Sequence, residues 1–79
     1  MPFGYTFATP LGSFFITPAP EGRWDTWFDD NFLGNYYALH QALDDLLGGH
    51  TFALPHGLDS STMGLPPELS DWSKIRPRN

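Results

Sequence analysis

Large aromatic side chains recur at every second position, Phe3, Tyr5 and Phe7, with Gly4, Thr6, Ala8 and Thr9 between and after them. That is the period of a β-strand with one buried face, and it predicts a first strand over 3–9. Pro10-Leu11-Gly12-Ser13 supplies turn chemistry, and Phe14-Phe15-Ile16-Thr17 resumes a β-rich run, predicting a second strand over 13–17 that Pro18-Ala19-Pro20 stops. Together these read as a hairpin. Past Glu21-Gly22 the alternation returns over 23–29, with Trp24, Thr26 and Phe28 on one side and Arg23, Asp25, Trp27 and Asp29 on the other. This predicts a third strand. Asp29-Asp30-Asn31 followed by Leu33-Gly34-Asn35 reads as the next break.

From Tyr36 the period changes. Tyr36, Leu39, Leu43, Leu46 and Leu47 form one stripe at helical spacing, while His40, Gln41, Asp44 and Asp45 lie toward the other side, which predicts a helix over 36–47. Asn35 suits its N-cap, and Gly48-Gly49 suits its stop because glycine enters the left-handed region without a Cβ clash. His50 to Leu54 reads as a short fourth strand or an ordered loop. Residues 55–79 are rich in Pro, Gly and Ser, with one helical turn allowed in Leu65-Pro66-Pro67-Glu68-Leu69-Ser70-Asp71-Trp72. The expected architecture is α+β: a three-stranded antiparallel sheet, with a short fourth strand as an option, packed on one helix and followed by an irregular C-terminal segment. As one domain it divides into a sheet-plus-helix core over 1–54, a wrapping segment over 55–73 and a basic tail over 74–79.

Charge narrows the function. Nine acids against four bases give a net charge of −5 in 79 residues, and three of those bases, Lys74, Arg76 and Arg78, fall in the last six positions. Residues 1–73 carry all nine acids and Arg23 alone as a base. Such a body repels phosphate backbones and anionic lipid, so neither nucleic acid nor membrane is expected as a partner. There is no cysteine, which removes disulfides, thiol nucleophiles and Cys-type zinc sites. Apolar runs such as Phe14-Phe15-Ile16 are far too short to span a bilayer, and a cytoplasmic protein is the expectation.

Candidate chemistry is thin. His40 and Asp44 stand at i, i+4 on the expected helix, a spacing that can aim two ligands at one point, and His50 and His56 are further donors. No HExxH-like signature accompanies them, and a solvated helix face with loop histidines is the expected reading, so no metal and no cofactor is assigned. Ser60-Ser61-Thr62 sits in an Asp/Ser/Gly stretch without the strand-turn-helix context of a nucleophile elbow, and no catalytic residue is assigned. Asp44 and Asp45 fall in the last turn of the helix, where the macrodipole disfavours carboxylates. The expectation is a structural clamp in which one of them meets the backbone N–H groups after Gly48 or the His50 ring. Phe15 and Trp27 are the large rings on the sheet face away from the helix, among Ser13, Thr17, Arg23, Asp25 and Asp29. Two outcomes are open: Leu58, Met63, Leu65 and Trp72 fold across that face, or Phe15, Trp27, Arg23 and Asp25 form a protein-binding site.

Two resemblances accompany these residues. Arg23-Trp24, Phe28, Leu33-Gly34-Asn35-Tyr36 and Ala42-Leu43-Asp44-Asp45-Leu46, after two strands, are similar to the pattern of three-stranded-sheet-plus-helix DNA readers such as the AP2 domain and the arm-binding domains of phage integrases. That resemblance implies DNA reading by a sheet face dense in Arg and Lys, whereas the matching positions here, Ser13, Phe15, Thr17, Arg23, Asp25, Trp27 and Asp29, hold one base and two acids. Leu33-Gly34-Asn35-Tyr36, Ala42 to Leu46, Gly48-Gly49-His50-Thr51-Phe52, Gly57-Leu58-Asp59-Ser60 and Gly64 to Trp72 resemble a group of small bacterial proteins of uncharacterised function. The expected role is non-catalytic binding to a protein partner; the alternatives are a nucleic-acid-associated module of AP2-like shape and a small metal-binding or enzymatic protein.

Overall fold

The computed structural model describes residues 3–51 and 54–76. Four strands follow one another as an antiparallel meander: β1 (Gly4–Thr9), β2 (Gly12–Pro18), β3 (Trp24–Phe28) and β4 (Asn31–Tyr36). The chain then forms the helix α1 (Leu39–Gly48), passes through short 3-10 turns, and returns as β5 (Ser73–Ile75), which pairs antiparallel with β1 on the opposite edge. The sheet order is β4-β3-β2-β1-β5.

The three-stranded expectation is therefore corrected to a five-stranded antiparallel sheet with one helix. Asn31 to Asn35, read as part of a break, and Tyr36, expected to open the helix, together form β4. Asn and Gly disfavour strands in isolation, but pairing with β3 decides, because strand propensity yields to the neighbours a residue finds. The pairing is irregular: the register shifts between Thr26 and Trp27, a bulge that sends Leu33 into the core at 1 % exposure. A tight Asp29-Asp30 turn joins β3 to β4, with Asp29 at φ 50° and its carboxylate accepting from the Ser13 N–H at 2.9 Å. The second missed strand, β5, lies where a basic tail was expected; three residues are too short to show a period. The helix starts at Leu39, not at Tyr36, because Tyr36 is still paired with Trp24, and Ala38 takes the N-cap position expected for Asn35. Its end agrees with expectation, since Gly49 caps it in the left-handed region at φ 72°. His50, Thr51 and Leu54 form no strand, and residues 52–53 of that expected element lie outside the described residues.

Alternation along β1 to β4 sorts the side chains onto two faces. Cross-strand partners put Tyr5, Phe7, Phe14, Ile16, Trp24, Thr26 and Phe28 on the helix side. Phe14, Ile16 and Phe28 are buried there with Ala42, Leu43 and Leu46 of α1, and the Phe14 and Phe28 rings meet at 4.8 Å. The segment after α1 completes this same core. Leu54, Leu65 and Trp72 are buried in it and Leu58 and Met63 pack against it. The Trp72 ring lies 5.8 Å from that of Phe7, and its indole N–H donates to the Pro66 carbonyl. Of the two outcomes left open, the one in which Leu58, Met63, Leu65 and Trp72 fold across the far face of the sheet is overturned: they close the helix side, where Phe7 and the leucines of α1 already offer apolar surface.

Candidate functional site

The far face stays open among the described residues. On it stand Phe15 of β2 and Trp27 of β3, directly paired across the strands, with Phe32 of β4 opposite Trp27 in turn. Trp27 and Phe32 make an edge-to-face contact at 5.3 Å, and Phe32 is 42 % exposed. Ile75 of β5 joins the face from the other side, opposite Gly4. A concavity of about 680 Å³ runs along this face, lined among the described residues by Ser13, Phe15, Trp27, Ile75 and, at its rim, Asp29-Asp30 and Arg76. No described residue from 37 to 72 lines it. Strand pairing brings these groups together from distant parts of the chain, and each half-buried ring is held by its strand neighbours rather than by a covering layer.

Arg23 and Asp25, expected beside Phe15 and Trp27, form a polar corner at the β3–β4 edge. Arg23 Nε donates to Asn35 Oδ1, and Asn35 Nδ2 donates to Asp25 Oδ1 at 2.7 Å. The Arg23 guanidinium lies 3.9 Å over the exposed Tyr37 ring, a cation–π arrangement. Arg23 is thus tied down inside its own chain, and Asn35 orients both charges.

Among the described residues neither the Asp44 nor the Asp45 carboxylate meets the N–H groups after Gly48 or the His50 ring, which corrects the expected clamp at the helix exit. Asp44 is exposed. The Asp45 carboxylate accepts from the Tyr36 hydroxyl, while the Asp45 backbone carbonyl accepts from the His50 N–H at 3.0 Å. The Tyr36 ring lies along Gly34, where an added Cβ would sit 2.8 Å from the hydroxyl. Burial first, then the hydrogen bond to Asp45 and after it the Asp45 charge, push the Tyr36 hydroxyl up to about 12. The carboxylate that fixes the loop after α1 is Asp59, at a position assigned no role from sequence: it accepts from Ser61 N–H at 2.9 Å and Ser61 Oγ at 2.7 Å. The Ser61 bonds, and the His50 charge after them, hold its carboxyl below the usual range. Ser60 anchors the same turn by donating from its buried hydroxyl to the Leu46 carbonyl at 2.6 Å. Among the described residues no three His, Asp or Glu side chains come together as metal ligands; His40, His50 and His56 are each exposed.

Sequence reasoning missed Phe32, Ile75, Asp30 and Arg76 as members of the open face. The signal for Phe32 was present, since Phe32, Leu33 and Tyr36 are the large side chains of a six-residue run that reads as a strand once β3 is given an edge partner. Nothing local marks Ile75. Among the described residues, no helix is long and apolar enough to cross a membrane. No family model matches the chain, and no curated protein or solved structure matches it.

Proposed function

We propose that this chain is a small non-catalytic protein-binding module that docks its partner on the open sheet face. The observation that carries this reading is the set Phe15, Trp27, Phe32 and Ile75 standing on one face that no described residue from 37 to 72 covers. Aromatic side chains, Trp above all, are enriched at the centres of protein interfaces because they bury much area with little loss of rotamer freedom. Stacked bases are the other common occupant of such rings, but Asp25, Asp29 and Asp30 share this face, and only Arg23 precedes the last six residues as a base. A phosphate backbone is repelled there. The titratable groups displaced from their ordinary range, Tyr36 and Asp59, are both engaged in contacts that hold the fold, which supports a role without catalysis. A cytoplasmic location belongs to the same proposal.

Affinity capture from a bacterial lysate tests it, with the intact chain, Trp27→Ala and Phe32→Ala as baits. The expected result is a captured protein set lost with both variants, while their melting curves show that they remain folded. An identical captured set from all three baits would overturn the reading.

A further inference from the structure

The open face is polar along one diagonal. Asp29 and Asp30 stand at the β3 corner beside Ser13, whereas Arg76 follows Ile75 at the β5 corner, level with Pro18. The register puts these corners about five residues apart along the strands, ~17 Å, and about three strand spacings apart across them, ~14 Å. The midpoint of that diagonal falls beside Phe15 and its β1 neighbour Thr6.

We propose that the occupant of this face is a second copy of the same chain, packed face to face about a two-fold axis. This rests on the docking reading above and names its partner. An axis lying between two facing sheets, perpendicular to the Asp29–Arg76 diagonal, carries the acidic corner of each copy onto Arg76 of the other. One rotation satisfies both junctions, as an isologous contact requires. The same rotation brings the two Phe15 rings together near the axis and sets the strands of the two sheets at about 80° to one another, close to the orthogonal arrangement, one of the two preferred ways that sheets stack. The charge pattern thus selects a packing that sheet geometry already favours. Asp25 and Arg23 take no part, because Asn35 bonds both of them within one copy.

Sedimentation velocity over a concentration series tests the inference, with Arg76→Glu, Asp30→Arg and the double variant D30R/R76E. Both positions are exposed, and circular dichroism melts confirm that the variants fold. Wild type is expected to form a dimer with a Kd on the order of 10 to 100 µM, as suits an interface at the small end of the range. Each single reversal places like charges at both junctions and weakens the dimer by about tenfold or more. Mixing the two single variants restores association: at one junction the introduced glutamate of R76E meets the introduced arginine of D30R, and at the other the native Asp30 of the first meets the native Arg76 of the second. The double variant self-associates because exchanging both signs leaves every junction paired. A wild type that stays monomeric to about 500 µM, well above that Kd range, overturns the inference. Reversals without effect, or mixing without rescue, do the same. If wild type is monomeric yet captures a protein through Trp27, the docking reading stands and the second copy falls; if it does neither, both fall.

Discussion

Phe14 and Phe15 are chemically identical neighbours with opposite fates. Phe14 is fully buried against Phe28 and α1, whereas Phe15 lines a concavity. The same contrast separates Phe28 from Trp27, one residue earlier. Side-chain chemistry does not decide which ring is core, because period-two alternation assigns the face and the rest of the chain determines which face is covered. After β4 the chain covers the helix side with α1, Leu54, Leu65 and Trp72 alike. One side of the sheet therefore holds the fold together, and the other presents its rings outward.

Paired truncations break or sharpen that contrast, and they carry the largest expected effect. Phe14→Ala removes a ring from a filled core and should cost about 3 to 5 kcal/mol, while Phe15→Ala should cost about 1 kcal/mol. Urea melts of the two variants measure the gap directly. Equal losses would mean that the open face is as structural as the closed one. A second pair compares two glycines in the left-handed region, Gly49 at φ 72° and Gly22 at φ 74°. An added Cβ at Gly22 meets nothing within 4 Å, whereas at Gly49 it would sit 2.5 Å from Asp59 Oδ1. Gly22→Ala should cost about 1 kcal/mol for backbone strain alone, and Gly49→Ala about 2 kcal/mol or more, because the Asp59 carboxylate must also leave the position in which it accepts from Ser61. Equal shifts in melting temperature would show that the Gly49–Asp59 approach contributes nothing.

The sequence was most readable where a period runs long enough to count. The central strands and the helix announce themselves by alternation and by the leucine stripe, and Phe15 and Trp27 followed from the same alternation. β4 and β5 did not, for different reasons: Asn31, Gly34 and Asn35 speak against a strand until β3 offers its edge, and Ser73-Lys74-Ile75 is shorter than any period. Phe32 and Ile75 were lost with their strands. The destination of Leu65 and Trp72 was illegible because it is a choice between two apolar surfaces on opposite sides of one sheet, and no local pattern encodes a side. Tyr36 was read as the first residue of the helical stripe. It instead ends β4 and reaches Asp45, so the last-turn carboxylate pairs with a strand hydroxyl and not with the helix's own exit.

That Tyr36–Asp45 contact joins sheet to helix on the closed side, and alkali tests it. Burial holds the Tyr36 hydroxyl neutral in the folded state up to about 12, against 10.0 for the free side chain. A raised pKa favours the folded state fully below pH 10, and the contribution is lost as pH rises from there through 12. Wild type should therefore lose more stability than Tyr36→Phe between pH 10 and pH 12, as read from melts across that range. Parallel curves would detach Tyr36 from the closed side.

The smallest expected effect comes from Asp59, which is exposed and yet organises the loop after α1. Its carboxyl lies below the ordinary 3.8, chiefly because Ser61 donates to it through both hydroxyl and backbone N–H. A lowered pKa contributes stability above the unfolded value, and that contribution disappears as pH falls through the folded one. Asp59→Asn keeps an acceptor for Ser61 N–H but removes the charge, so it should be slightly less stable than wild type at neutral pH and should converge on it in acid. The sign distinguishes this from a purely steric role, which would keep the two denaturation curves separated at every pH.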